Sequence, residues 1–264
     1  MRTTVAGVLL AAGEGSRFGR PKALVELNGQ TLAERGVNLL RAGGAHPILV
    51  VTGAAPVELD GTHSVYNPAW RTGMGSSLRA ALRALTDSDA GAEVGAVVVA
   101  LADQPLVGAE AVARLIAAYR DGASVAVAAY DGQARNPVLL AREHWAEVIA
   151  TATGDQGART FLRTRPDLVT LVECGDTGRP DDIDTPADLA RITSAARDHH
   201  PRLPGLDAPG VGDRLAGLKD QQVITGHEGI RRAGHGLDGQ CPAAPVRLQP
   251  NGDPVTRPGC PRRA

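Results

Sequence analysis

The stretch "VLLAAGEGSRFGRPKAL", residues 8–24, decides how this chain is read. It continues an apolar run, "VAGVLLA" at 5–11, with the uniform hydrophobicity of a strand buried on both faces. The run stops at Gly13, and Gly15 and Gly19 follow closely. Glycines in such a turn permit positive φ and let backbone approach a ligand. Successive free N–H groups there form an anion-binding concavity. Arg17 can fork onto phosphate oxygens, and Lys22 adds a movable point charge. Two familiar phosphate motifs are excluded. Phe18 stands where G-x-G-x-x-G requires its third glycine, and Pro21 opposes an immediate helix; a P-loop would need Gly-Lys-Ser/Thr. What remains is a strand ending in a cationic glycine loop: an ordinary surface turn, or, as so many glycines and two cations after a buried strand favour, a wrapping for the phosphates of a nucleotide.

Outward from that loop, apolar runs and helical periodicities alternate. Strands are expected at 5–11, 47–53, 63–67, 96–103, 123–130, 136–141 and 168–174. Helices are expected at 31–45, 75–86, 108–122, the stretch "REHWAEVIATA", 157–165 and 185–197. Ser76 or Ser77 is expected near the N-cap of the second helix, and Thr185 before Pro186 caps the last. This alternation predicts an α/β fold, a mostly parallel sheet with helices on both faces. Ligands of such sheets bind at the carboxyl ends of the strands, where the polar stretches 12–22 and 103–105 fall.

Composition narrows the class. The 264 residues carry a formal net charge of −1, which does not favour nucleic acid or an anionic membrane as partner. No stretch reaches the roughly 18 apolar residues of a membrane span, and the N-terminal stretch has no secretory cleavage pattern. Cys174, Cys241 and Cys260 lie far apart without C-x-x-C spacing, which suits a reducing cytoplasm. All seven aromatics precede residue 162, whereas residues 197–264 hold 9 of the 18 prolines and 11 of the 32 glycines. That composition is typical of disorder. A folded domain of residues 1–196 followed by a disordered Pro/Gly/Arg-rich tail, 197–264, is therefore expected.

Four further stretches carry chemistry. In "LADQP" (101–105), Asp103 ends the most apolar strand, as a helix cap or as a metal ligand. Mg²⁺ takes one or two carboxylates and leaves the rest of its octahedron to phosphates and water. In "RPDDIDTPADL" (179–189), Asp181, Asp182 and Asp184 crowd the start of the last helix. Capping needs one acid, not three, so the surplus suggests a cation nearby, Asp184 first and Asp182 next. In "NPAWRTGMGSSLRAAL" (67–82), Gly75, Ser76 and Ser77 place free N–H groups and hydroxyls at a helix start, a place for an anion or a nucleobase edge, or simply a capped helix. "GQARNPVLLA" and "GDQGARTFL" carry Arg135, Asn136 and Arg159, which could grip an acidic substrate or lie solvated in loops. No nucleophile elbow is present, and the body's histidines are scattered. Catalysis without an enzyme nucleophile is expected.

At "LLAAGEGSRFGRPKAL" the chain resembles the nucleotidyltransferases of the sugar-nucleotide and molybdenum-cofactor type, whose signature is L-A-A/G-G-x-G-x-R-M/F-G-x-x-K. Leu10 to Lys22 match it throughout. "LADQP", "DIDTPADL", N-P-x-W-x-x-G-M-G-x-S-L and G-D-x-G-A-R are similar to one branch, the molybdenum cofactor cytidylyltransferases. The resemblance covers about residues 4–195. It implies a three-layer, Rossmann-like (GT-A-like) nucleotidyltransferase fold, Mg²⁺, and transfer of CMP from CTP to the phosphate of molybdopterin with release of pyrophosphate. It further implies that Leu10, Ala11, Ala12 and Gly13 border base and triphosphate. By the same resemblance Arg17 and Lys22 hold phosphate oxygens, and Asp103 with Asp184 holds the metal. Ala12 stands where guanylyl-transferring relatives tend to have glycine, which tilts the donor to CTP over GTP. A GTP-dependent transferase, another phosphate acceptor, and a non-catalytic nucleotide-binding protein that handles the cofactor are the alternatives. A molybdoenzyme or its chaperone is an implied partner.

Overall fold

The computed structural model describes residues 4–198. In chain order the elements are β1 (Thr4–Leu10), β2 (Glu26–Leu27), β3 (Gln30–Thr31), α1 (Leu32–Ala42), β4 (Ile48–Thr52), β5 (His63–Tyr66), α2 (Met74–Thr86), β6 (Val94–Leu101), α3 (Ala109–Arg120), β7 (Val125–Tyr130), β8 (Gln133–Ala141), α4 (Trp145–Thr151), α5 (Arg159–Thr164), β9 (Val169–Glu173) and α6 (Pro186–Asp198). Short 3₁₀ turns lie between them, one of them at Lys22–Leu24. Every strand and helix expected from periodicity is present. The tail expected from 197 onward lies outside the described residues, apart from the last two residues of α6.

The sheet has seven strands in the order β5-β4-β1-β6-β8-β7-β9. β1 pairs in parallel with β4 and β6, β4 with β5, and β7 with β9. Only β8 runs the other way, antiparallel to β6 and β7. Its reversal is made by a two-residue hairpin, Asp131-Gly132, with φ of 52° and 71°. Both central residues of a type I′ turn need positive φ, and Asp-Gly supplies them cheaply. The same device, Asn28-Gly29 with φ of 53° and 78°, folds β2 onto β3, a small hairpin that periodicity does not reveal.

Alternation along the strands loads both faces. Val5 and Leu9 pack with α1 and α3 on one side. Ala6, Val8 and Leu10 pack with α2, α4 and Phe161 of α5 on the other. The result is three layers, with β1, β4 and β6 buried on both faces, as continuous apolar runs require. α1 begins at a capping box: Thr31 Oγ1 accepts from the Glu34 N–H at 3.1 Å, and Glu34 Oε2 accepts from the Thr31 N–H at 2.6 Å. At the start of α6, Thr185 Oγ1 accepts from the Asp188 N–H at 3.2 Å, in keeping with the expected cap. The start of α2 differs from expectation. Its N-cap is Gly73, with no side-chain cap, and Ser76 and Ser77 lie inside the first turn. No described helix is long and apolar enough to cross a membrane.

Candidate nucleotide and metal site

Residues from three distant parts of the chain meet at the carboxyl edge beside β1 and β6. Lys22 Nζ donates to Asp103 Oδ2 at 2.9 Å and to Asp184 Oδ1 at 2.5 Å. Arg17 Nη1 lies 3.6 Å from Asp184 Oδ2. Asp103 follows β6, and Asp184 precedes α6 by two residues. Burial works against the charge on Lys22, but the two carboxylates outweigh it and hold its pKa above that of an ordinary lysine.

Apolar packing explains why Asp184 arrives there. Ile183, fully buried, packs with Val25, Leu27 and Leu32 in a small separate core that Phe18 also touches. The Ile183 N–H donates to the Asp103 carbonyl at 2.8 Å. Ile183 thus staples the acidic segment to the end of the glycine loop and to the β6 loop at once. Asp182, on its other side, accepts from Gln104 Nε2 at 2.9 Å. Desolvation and the neighbouring Asp103 raise the Asp182 pKa. Among the described residues Asp182 makes no hydrogen bond or ion pair with Lys22, so of the two acids expected as second ligand, Asp184 is the one that meets Asp103 on the same ammonium group.

Gly15 is demanded by the loop. Its φ is +63°, and a Cβ there would lie 2.2 Å from the Arg20 carbonyl oxygen. Gly19 also takes positive φ. Gly13, expected to do the same, does not; a Cβ there would meet open space, and the residue lines the cleft instead. That cleft measures about 500 Å³. Leu10 to Gly13, Lys22, Asp103, Trp70, Arg71 and Ser77 line it. The Arg71 guanidinium lies over the Trp70 ring, 4.2 Å from its centroid.

Gly73 also lines the cleft. With φ of +103° it accepts the backbone of Gly154, 2.3 Å from where a Cβ would stand, and so brings Asp155 to the cleft. The stretches 67–82 and 154–162 therefore meet in space. Ser76 and Ser77 are less free than their sequence position implies: buried Asn67 donates to Ser76 Oγ at 2.8 Å and to Ser77 Oγ at 3.0 Å. Ser76 points inward, and a Cβ on Gly75 would meet the Ala152 backbone at 2.8 Å. Ser77 lines the cleft; Gly75 and Ser76 support its wall. Arg135 and Arg159 are exposed and Asn136 is half-buried; none of the three lines the cleft. Because β8 is inverted, with Val138 opposite Val99, its N-terminal end brings Arg135 and Asn136 to the same edge as the end of β6. Trp70, Arg71 and Asp155 stand in stretches whose glycines and serines draw the eye first; a tryptophan between Pro68 and Gly73 in a chain that is 3% aromatic was the available signal.

Two carboxylates on one cation suit a hard divalent ion whose remaining ligands are phosphate and water oxygens. Among the described residues no group of three or more His, Cys, Asp or Glu side chains forms a closed cage. The donor set therefore fits a metal that arrives with a polyphosphate.

Comparisons with known proteins place the chain in a family. A family model described as the MobA-like NTP transferase domain matches residues 7–169. Nicotine blue oxidoreductase of Paenarthrobacter nicotinovorans is 38% identical over 204 residues, 71% of this chain and 96% of that protein. A probable molybdenum cofactor guanylyltransferase of Opitutus terrae is 49% identical over a short stretch of 49 residues, 19% of this chain and 24% of its own. Among solved structures, the homologue of Mycobacterium tuberculosis Rv0371c from Mycobacterium sp. strain JC1 aligns with a TM-score of 0.63 at 30% identity, covering 75% of this chain and 99% of its own. A manganese complex of Rv0371c from M. tuberculosis H37Rv aligns at 0.59 and 25% identity, over 73% and 100%. With its glycine loop, its convergent aspartates and this match across most of the described residues, the chain belongs to the MobA-like NTP transferase family.

Proposed function

We propose that this chain transfers CMP from CTP to the phosphate of a molybdopterin-type acceptor, releasing pyrophosphate, with Mg²⁺ held by Asp103 and Asp184. The observation that carries the reading is the meeting of both carboxylates on Lys22 at the end of the Leu10–Gly13 cleft. Leu10, Ala11, Ala12 and Gly13 border base and triphosphate, Gly15 shapes the loop, and Arg17 and Lys22 take phosphate oxygens. Ser77 contributes to the nucleotide cleft, supported by Gly75 and Ser76. Arg135, Asn136 and Arg159 are assigned to the acceptor. Residues 1–196 form the catalytic domain and 197–264 an appended tail.

An acceptor phosphate oxygen attacks the α-phosphorus, and the bond to the β-phosphate oxygen breaks, with pyrophosphate leaving with the electron pair. The attacking oxygen is already deprotonated, so no general base is needed. The protein's task is to bring two polyanions into line and neutralise them. Lys22, shielded in part from water, supplies fixed positive charge, and Arg17 supplies charge at the cleft's exposed rim. Mg²⁺ bound by the two aspartates would add Lewis-acid charge neutralisation. CTP is preferred to GTP because Ala12 stands where guanylyl-transferring relatives tend to have glycine.

Guanylyl transfer is the neighbouring reading, supported by the Opitutus relative. An oxidoreductase reading is supported by the name of the Paenarthrobacter relative. Pyrophosphate release with CTP, GTP, ATP or UTP, with and without molybdopterin, decides among them. Acceptor-dependent release greatest with CTP is expected; release with GTP alone would move the donor, and no release with any triphosphate would overturn transfer.

A further inference from the structure

Between Asp103 and Asp184 the protein already places a cation of its own. Lys22 Nζ lies 2.9 Å from Asp103 Oδ2 and 2.5 Å from Asp184 Oδ1. Arg17 adds only a longer approach, 3.6 Å, to the second oxygen of Asp184. The acids remain open to solutes: the side chains of Asp103 and Asp184 are 27% and 46% exposed. Lys22 and Asp103 both line the nucleotide cleft.

This position makes the ammonium group and a divalent ion rivals. A magnesium ion sits about 2.1 Å from each carboxylate oxygen it binds. An ion shared by the two oxygens that now accept from Nζ would claim the space that Nζ fills. Two cations so close repel strongly, even at the edge of a protein. Lys22 must therefore leave its acids when the ion enters. Leaving without new partners loses two charge-assisted hydrogen bonds. Lysine is a point charge on a flexible stem, so Nζ can turn from the aspartates into the cleft. Phosphate oxygens there would replace the partners it gives up, and the positive charge would stay within the site.

We propose, on the reading of Asp103 and Asp184 as the metal pair, that Lys22 stands in for the metal until a triphosphate arrives, so that the two aspartates hold a divalent ion firmly only together with the nucleotide. The consequence is a reversal of sign. Towards the bare ion Lys22 is a competitor. Towards the ion with its triphosphate it is a partner, because it then binds the phosphates. Removing Lys22 should help the first and harm the second. A lysine that served the fold alone would weaken both when removed.

Electron paramagnetic resonance titration of the full chain with Mn²⁺ reads the bound ion directly. Without nucleotide, Lys22→Met should bind Mn²⁺ at least about tenfold more tightly than the native protein, the scale of one charge-assisted hydrogen bond. With saturating CTP the same variant should bind Mn²⁺ at least about tenfold more weakly. Arg17→Met removes the same charge from the exposed rim and should change binding of the bare ion by less than about threefold. Asp103→Ala reports on the metal pair separately: Mn²⁺ binding with CTP as tight as in the native protein would remove the pair, and this role of Lys22 with it. Should Lys22→Met not fold, side-chain NMR of the native protein decides. Mg²⁺ with CTP should shift the Lys22 ammonium signal together with the carboxyl signals of Asp103 and Asp184. The proposal is overturned if Lys22→Met binds bare Mn²⁺ no more tightly than the native protein, if Arg17→Met tightens it as much, or if Mg²⁺ and CTP saturate the protein with the Lys22 signal unmoved.

Discussion

The two halves of the sheet's carboxyl edge are built differently. Beside β1 and β6 the charges already face one another: Lys22 bridges Asp103 and Asp184, and Arg17 stands beside them. Apolar packing around Ile183 holds them there. Beside β8, Arg135 reaches only the neighbouring Ala134 carbonyl, and Arg159, at the start of α5, is likewise exposed. A site for a metal-bound triphosphate must bring like charges together, which takes a counter-ion and a packed frame. A site for an anionic acceptor needs cations left available. The difference predicts that substitutions of the charges on the first half act on catalysis, those of its packed frame on catalysis and folding together, and those on the second half on acceptor affinity alone.

The largest effect is expected from Asp103→Ala. It removes a carboxylate from the proposed metal pair and leaves Lys22 with Asp184, so the fold should persist while pyrophosphate release falls about a thousandfold, as for loss of a preorganised charge at a reacting centre. Normal release would break the comparison at its strongest point. Ile183→Ala comes next. It empties the staple of the first half and should cost about 3 kcal/mol in denaturant unfolding, with loss of activity from the displacement of Asp184. Lys22→Met should lower kcat/KM for the triphosphate about a hundredfold; unchanged kinetics would remove it from the site. Arg135→Ala sharpens the contrast from the other side. It should raise the acceptor KM about tenfold with triphosphate binding untouched.

The smallest effect is one of pH. Asp188 accepts from Thr185 and from the backbone of Asp184 and Thr185, and these bonds hold its pKa below the ordinary 3.8. A carboxylate so depressed contributes stability above its unfolded pKa and loses it as pH falls through the folded one. Asp188→Asn should therefore narrow the gap to the native protein on the acid side only, which acid titration of unfolding checks.

The first half of the edge was also the more legible in the sequence. Buried strands read as apolar runs, and the loop at 13–22 carried its chemistry in residue types that nothing else requires. Direction was not legible from hydrophobicity, because β8 has the composition of its neighbours. The signal lay in Asp131-Gly132, a two-residue turn between strands, as it did in Asn28-Gly29. Of the stretch 67–82, Ser77 was legible as a cleft residue, whereas Trp70 and Arg71 were not; Ser76, polar at a helix start, looks free when Asn67 has already engaged it. Ile183, an isoleucine among acids, looked like a spacer, and only the tertiary core shows that it sets the position of Asp184.

The central claim is that Asp103 and Asp184 hold one divalent ion together with a triphosphate. Electron paramagnetic resonance titration of Mn²⁺ in the presence of CTP tests it on the native protein and on Asp103→Ala and Asp184→Ala. Each substitution should weaken Mn²⁺ binding by at least about tenfold. Binding as tight in both variants as in the native protein would contradict it.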